Sequence, residues 1–198
     1  MRNLTYLNLS MSQFDGQIPT NLGNLTNLRV IDLRFGLWQS VFPVKNLEWL
    51  TRLRMLQRLD LTGYDLSGEV DWLQMMNTLP SLFELRLSSC SLPQIPRHIN
   101  TVNFTSLSIL DLSYNLFDTS FMPLWIFNLT RLVSLDLTNC FFHDLVPGAD
   151  FQKLNAEDSK TGKSKFEKGY RFLQDEEGCE LTNLPFLQGL EIVTNGMF

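Results

Sequence analysis

The chain has 198 residues and carries 16 lysines and arginines against 21 aspartates and glutamates, which gives a formal net charge of -5. No basic cluster stands out, so the sequence offers no electrostatic footprint for phosphate backbones, and we expect no nucleic-acid partner. No apolar run approaches the roughly 18 residues of a membrane-spanning helix, and no charged-then-apolar leader opens the chain, so we expect neither membrane insertion nor a signal peptide within these residues.

Residues 1–154 repeat one pattern, in which apolar residues, mostly leucine, occupy positions one, four, seven and nine of each unit. The residues at position four follow one another at intervals of 24, 28, 26, 25 and 25 residues; they are Leu4, Leu28, Leu56, Leu82, Leu107 and Leu132. A period of this length is typical of leucine-rich repeats, which stack one short strand per unit.

Positions seven and nine alternate with outward-facing residues at positions eight and ten, which is the pattern of a short strand with one buried face. Because successive units travel in the same direction, their strands must stack in parallel. The sequence therefore predicts an α/β repeat solenoid, with a parallel β-sheet on the concave side and irregular or short helical segments on the convex side.

Position twelve follows each strand, where the chain bends out of the sheet and a polar side chain can satisfy backbone groups that would otherwise be buried unpaired. Its occupants are Ser12, Gly36, Tyr64, Cys90, Asn115 and Cys140. Gly36 and Tyr64 suit this role least, so we expect distorted turns in the second and third units. Cys90 and Cys140 lie two repeats apart, about 10 Å at the usual strand spacing, which predicts two free core thiols.

Position eight projects from the concave face in every unit, because side chains alternate along a strand. The residues there form a mostly acidic column; they are Asn8, Asp32, Asp60, Arg86, Asp111 and Asp136. A basic peptide or a protein loop could dock along this column, with Tyr6, Phe35, Phe83 and Tyr114 as flanking aromatic anchors. The predicted ligand-binding residues are Asp32, Asp60, Arg86, Asp111, Tyr114 and Asp136. The alternative is that these aspartates belong to the repeat framework.

Segment 14–25, with the sequence FDGQIPTNLGNL, resembles the plant-type leucine-rich repeat. Segments 88–90, 103–107 and 127–130 are similar to the ectodomains of plant receptor-like proteins, particularly those of the fungal-xylanase-receptor type. This resemblance implies a non-catalytic ligand-recognition module on the extracellular side of the plasma membrane, acting in defence or developmental signalling. It also implies a peptide or protein ligand, a co-receptor as a further partner, and a membrane anchor elsewhere in the full-length parent.

Five Asn-x-Ser/Thr sequons fit an extracellular, glycosylated chain. Their acceptor residues are Asn3, Asn8, Asn24, Asn103 and Asn128. Because Asn-Leu-Thr also belongs to the repeat consensus, an incidental origin is the alternative. Two other functions stay open: a secreted inhibitor of a microbial cell-wall hydrolase, similar to the polygalacturonase-inhibiting proteins, and a non-functional remnant of a receptor gene.

No arrangement of residues predicts catalysis, a metal site or a cofactor. His98 and His143 lie in connecting segments of different repeats, without the short-spaced cysteine or carboxylate companions of a zinc site. Residues 161–164 end like a phosphate-binding loop, yet Glu157 stands where that motif requires glycine. We therefore expect a chain without catalytic residues, cofactor or metal.

The repeat pattern stops after Leu154. Residues 155–180 are too polar to build a repeat core, and we expect a disordered interruption there. Its origin stays open between a looped-out insertion, a linker and sequence foreign to the array. Residues 181–198 return to the frame as a truncated seventh repeat, with Leu187, Leu190 and Ile192 at positions four, seven and nine.

Overall fold

The computed structural model describes residues 3–12, 17–35, 43–117, 123–140 and 142, together with three later strands. Six strands lie within the repeats: β1 (Tyr6–Asn8), β2 (Val30–Asp32), β3 (Arg58–Asp60), β4 (Glu84–Arg86), β5 (Ile109–Asp111) and β6 (Ser134–Asp136). The later strands, of which the structure describes the backbone, are β7 (Arg171–Asp175), β8 (Gly178–Thr182) and β9 (Glu191–Val193).

The main sheet follows the chain in the order β1-β2-β3-β4-β5-β6-β9, and all neighbouring strands in it are parallel. From β1 to β6 the register aligns position seven of every unit; these residues are Leu7, Ile31, Leu59, Leu85, Leu110 and Leu135. A slip of one residue would turn this apolar row toward solvent, so the leucine frame fixes the register. The predicted parallel solenoid is confirmed.

Short helices form part of the convex side, as the sequence predicts. They are the 3₁₀ helices Thr20–Asn24, Glu48–Arg52 and Leu124–Asn128, and the α-helix α1 (Trp72–Met76). Trp49, Trp72 and Trp125 from these helices are buried in the core behind the sheet. The indole N–H groups of Trp72 and Trp125 donate to the carbonyl oxygens of Gln94 at 2.7 Å and Pro96 at 3.1 Å, so each polar edge of these two rings is satisfied by a neighbouring unit.

Asn115 at position twelve satisfies the backbone of two units at once. Its buried Oδ1 accepts hydrogen bonds from the N–H groups of Cys90 at 3.0 Å and Leu92 at 3.1 Å. Its Nδ2 donates to the carbonyl oxygens of Leu87 and Leu112, both at 2.8 Å. Asn115 therefore satisfies buried backbone groups at this bend, as the sequence predicts for position twelve.

Cys90 and Cys140 are buried free thiols, as the repeat spacing predicts. The Sγ atom of Cys90 donates to the carbonyl oxygen of Leu61 at 3.2 Å, and that of Cys140 to the carbonyl oxygen of Leu112 at 3.1 Å. At position twelve of these units a thiol thus makes part of the hydrogen bonds that Asn115 makes in the fifth unit. Burial raises the pKa of both thiols, that of Cys140 to about 12. Neither forms an appreciable amount of thiolate at neutral pH, which leaves them a structural role.

Position eleven takes a left-handed backbone conformation in five of the six units. The residues and their φ angles are Met11 at 56°, Gly63 at 85°, Ser89 at 53°, Tyr114 at 58° and Asn139 at 53°. Phe35 holds this position in the second unit without a positive φ; it is buried, and its ring meets Tyr64 edge-on with the centroids 6.0 Å apart. The second unit therefore differs from the others at position eleven, as predicted, although Gly36 itself lies outside the described residues. The distortion predicted for the third unit is wrong, because Gly63 takes the same left-handed conformation as its counterparts and the Tyr64 N–H donates to the Leu61 carbonyl at 3.1 Å.

The backbone after the sixth repeat contains an antiparallel pair, β7 with β8, so part of the segment without a repeat frame has regular structure. β9 extends the main sheet and places Ile192 opposite Leu135, where the leucine frame had placed Leu190. The pairing of β9 is therefore two residues away from that frame. The boundaries 1–154, 155–180 and 181–198 stay a prediction.

Candidate functional site

Position eight forms one continuous row on the concave face. Strand pairing sets its members side by side in the order Asn8, Asp32, Asp60, Arg86, Asp111 and Asp136. Tyr114 lies three residues beyond Asp111, and its ring is half exposed. The structure thus sets five of the six predicted ligand-binding residues side by side on one face, with Tyr114 beyond the end of β5; the contact of all six with a ligand stays a prediction.

The aspartates of this row bind the backbone two residues ahead of them. The Oδ1 atoms of Asp32, Asp60, Asp111 and Asp136 accept from backbone N–H groups at 3.3, 3.0, 3.1 and 2.9 Å, and Asn8 does the same for Ser10 at 2.9 Å. An aspartate or asparagine that bonds the N–H two residues on stabilises a tight turn. The framework role, weighed as the alternative from the sequence, is therefore visible in the geometry.

Asp32 and Asp60 are almost inaccessible, with exposed fractions of 4% and 0%. Burial is the main reason that the pKa of Asp60 lies above its ordinary range; hydrogen bonds from Thr62 act in the opposite direction. These two buried carboxylates are therefore poorly placed to meet a ligand directly. Asp111 and Asp136 are partly exposed and remain within reach of one.

An arginine lies over the two buried carboxylates, those of Asp32 and Asp60. Arg34 lies 3.2 Å from Asp32 and 3.9 Å from Asp60, between the closest nitrogen and oxygen atoms. Its side chain is 43% exposed, against 5% and 0% for the two aspartates. The cation of this ion-pair group therefore faces solvent, and the anions lie beneath it.

The same arrangement, with arginines outside and a carboxylate beneath, continues along the sheet, where Glu84 lies between two arginines. Its Oε1 is 3.2 Å from Arg58 and 2.7 Å from Arg86, and Arg86 also approaches Asp111 at 3.6 Å. The side chains of Arg58 and Arg86 are 41% and 35% exposed, and that of Glu84 is 9% exposed. Burial alone would lower the pKa of Arg86, but the carboxylates of Glu84, Asp111 and Asp60 raise it, so this group stays a cation.

The sequence reasoning missed Arg34, Arg58 and Glu84. Strand alternation could have found Arg58 and Glu84, because position six shares the concave face with position eight. Arg34 at position ten lies just beyond its strand, and only its long side chain brings it back over the row. Of the predicted aromatic anchors, Tyr6 and Phe83 are exposed, whereas Phe35 is buried and presents no ring to solvent.

All five sequon asparagines are exposed; they are Asn3, Asn8, Asn24, Asn103 and Asn128. The described part of the chain contains no group of three histidine, cysteine or acidic residues that could hold a metal ion. His98 is exposed, and His143 and residues 161–164 lie outside that part. Among the described helices, none has the length and apolar character needed to cross a bilayer.

Comparison with known proteins places these features in a family. The model of the leucine-rich repeat region matches residues 1–171. The chain is 40% identical over 141 residues to receptor-like protein EIX1 of Solanum lycopersicum, covering 69% of this chain and 13% of that protein. It is 32% identical over 143 residues to receptor like protein 27 of Arabidopsis thaliana, covering 72% of this chain and 17% of that protein.

A solved internalin structure from Listeria monocytogenes aligns with a TM-score of 0.42 at 21% identity, over 70% of this chain and 42% of that one. The chain spans less than a fifth of the length of the two plant relatives. It belongs to the leucine-rich-repeat family, and its repeats are of the type carried by plant receptor-like proteins.

Proposed function

We propose that this chain is a non-catalytic ligand-recognition module of a plant cell-surface receptor-like protein, with a peptide or protein ligand on its concave face. The observation that carries the proposal is the 40% identity over 141 residues to a plant receptor-like protein. The parent would lie on the extracellular side of the plasma membrane, in defence or developmental signalling.

The concave face has the size and chemistry for such a ligand. Five strand spacings separate β1 from β6, which is about 24 Å at ~4.8 Å each and matches roughly seven residues of extended peptide. Tyr6, Phe83 and Tyr114 expose aromatic rings along the sheet, and exposed aromatic side chains are frequent anchors in interfaces.

Glycosylation of the sequons would leave most of this face open. Asn24, Asn103 and Asn128 all directly precede position one of a unit, so they fall on the same edge of the stack. The other two are Asn3, at position three of the first unit, and Asn8, which belongs to the row at position eight. Expression through a plant secretory pathway, followed by peptide N-glycosidase treatment and peptide mapping, tests which of the five carry glycans.

Site-directed photo-crosslinking tests the face that binds. The chain carries p-benzoylphenylalanine in place of Tyr114, a predicted concave-face residue, or in place of Gln74 in α1, and is illuminated with secreted proteins of microbially challenged plant tissue. The proposal predicts adducts of discrete mass from position 114 and none of the same mass from position 74. Equal adducts from both positions, or adducts only from position 74, would contradict it.

A further inference from the structure

Over β2 to β4, the charge that the concave face shows to solvent has the opposite sign from that expected of the sequence. The column at position eight predicts an acidic surface and a basic ligand. In the structure the outward groups over β2 to β4 are three guanidinium groups, those of Arg34, Arg58 and Arg86, here called the arginine cluster. Their partner carboxylates Asp32 and Asp60 are buried.

The arginine cluster keeps hydrogen-bond donors that its own carboxylates do not use. Each guanidinium has five N–H groups, and those of Arg34 and Arg58 each place a single nitrogen within 3.2 Å of a carboxylate oxygen. The Nε atoms of Arg34 and Arg58 are buried, so the nitrogens that a ligand can reach are the terminal ones. The ion pairs with Asp32 and Glu84 each use one terminal nitrogen, and the partly exposed side chains leave the other terminal nitrogen for a ligand.

We propose that the arginine cluster binds carboxylate groups of an acidic peptide segment. The ligand class of the concave face would then be an acidic peptide, and this inference rests on the function proposed above. An incoming carboxylate meets the exposed terminal N–H donors of neighbouring guanidinium groups and can accept charge-assisted hydrogen bonds from them. A lysine-rich segment meets like charge first, because the aspartates beneath are out of its reach.

Local contact, and not long-range attraction, accounts for this selectivity. The arginine cluster carries three positive charges above the four carboxylates of Asp32, Asp60, Glu84 and Asp111, and the whole chain has a net charge of -5. Non-specific attraction would thus favour a basic peptide. Tighter binding of an acidic peptide is informative because it runs against the overall charge.

Fluorescence anisotropy with two labelled probes, a decamer of glutamate and a decamer of lysine, tests the proposal on the full 198-residue chain. We expect the glutamate decamer to bind more tightly. Arg58→Gln and Arg86→Gln should each weaken its binding about tenfold, the effect of losing one charge-assisted hydrogen bond. Arg54→Gln is the matched control, because Arg54 is exposed and lies outside the strands.

Arg58→Lys keeps the charge but loses the planar fork, so it should fall between wild type and Arg58→Gln, with an unchanged melting temperature as the check on folding. Tighter binding of the lysine decamer, or an equal loss in Arg54→Gln, would overturn the proposal. If the crosslinks at position 114 are found while the glutamate decamer does not bind, the proposed ligand class is wrong, whereas ligand binding at the concave face is supported. If neither is found, both proposals fail.

Discussion

At the scale of single residues, Asn115 shows how one buried side chain supports a bend that the strands cannot support themselves. Its amide joins the backbone groups of Cys90, Leu92, Leu87 and Leu112, which lie in two neighbouring units. Buried N–H and C=O groups left unpaired cost about 1–3 kcal/mol each, so the contribution of this residue exceeds that of an ordinary hydrogen bond.

Asn115→Ala should lower the free energy of unfolding by about 3 kcal/mol, because it leaves several of these backbone groups without a partner. Urea titration followed by circular dichroism measures the change. Asn100→Ala is the control, since Asn100 is exposed, and its midpoint should stay within error of wild type. A loss no larger than that of the control would show that water satisfies the bend in place of Asn115.

Asp60 gives the stability of the chain a pH dependence. Burial raises its pKa in the folded state above the ordinary value of 3.8, so the folded chain holds this proton more tightly than the unfolded chain. The stability that comes from this group is therefore full below the ordinary pKa and declines as the pH rises through the folded pKa.

Asp60→Asn keeps an acceptor for the Thr62 N–H and removes the buried charge. Its free energy of unfolding relative to wild type should therefore rise from near zero at about pH 3.5 to a positive difference at about pH 7. Denaturant titrations at a series of pH values measure this difference. A difference that stays constant over the range would refute the assignment to Asp60.

The residues of the candidate site were only partly predictable. Alternation along the strands correctly placed Asn8, Asp32, Asp60 and their successors on one face. It could not show that an aspartate at position eight turns its Oδ1 back to the N–H two residues on, or that Arg34 folds over it. Both depend on side-chain torsions and on the depth of the face, which a periodic pattern does not contain.

At the scale of the elements, strands of three residues are too short to persist alone and depend on the rows of leucine behind them. Leu110 is 1% exposed at position seven of the fifth unit, whereas Leu116 is 69% exposed beyond the same strand. Two leucines six residues apart in one unit thus provide a test of burial with the residue type held constant.

Leu110→Ala should cost about 2–5 kcal/mol, because it removes buried methyl groups and leaves a cavity between two neighbouring rows. Leu116→Ala should change the free energy of unfolding by less than about 0.5 kcal/mol. Chemical denaturation of both variants is the measurement. Similar losses in the two variants would mean that position seven is not the core row.

Gly23 allows two return segments to approach each other closely. A Cβ atom there would come within 2.6 Å of the Trp49 carbonyl oxygen in the next unit, whereas nothing lies within 4 Å of a Cβ built on Gly68. Gly23→Ala should therefore destabilise the chain by about 1–3 kcal/mol through overpacking. Gly68→Ala should be nearly neutral in the same thermal melts; a neutral Gly23→Ala would show that the segments can move apart.

The leucine frame predicted the positions of β1 to β6 because the side-chain period of a strand permits one register with the leucines inside. It did not predict where the short convex helices begin and end, since those depend on contacts such as that of Gly23 with Trp49. The pairing of β9 two residues from the frame was also not predictable, because short stretches of alternating apolar residues accept more than one register.

At the scale of the whole molecule, the concave face changes character along the stack. The arginine cluster lies over β2 to β4, while Ile109 and Ser134 occupy position six in the next two strands. A ligand that spans the face would thus meet guanidinium groups at one end, and at the other the partly exposed carboxylates of Asp111 and Asp136 together with the exposed Tyr114. This order of chemistry is what the proposed recognition surface would present to a ligand.

Chemical footprinting of the intact chain tests most directly whether guanidinium groups face outward above buried carboxylates. One sample is labelled at carboxylates with a carbodiimide and glycine ethyl ester, a second at arginines with phenylglyoxal, and the sites are mapped by mass spectrometry. We predict that Asp32 and Asp60 react far more slowly than exposed Asp71, while Arg58 reacts at a rate comparable to Arg54. Reaction of Asp32 and Asp60 at the rate of Asp71, with Arg58 protected, would contradict the account.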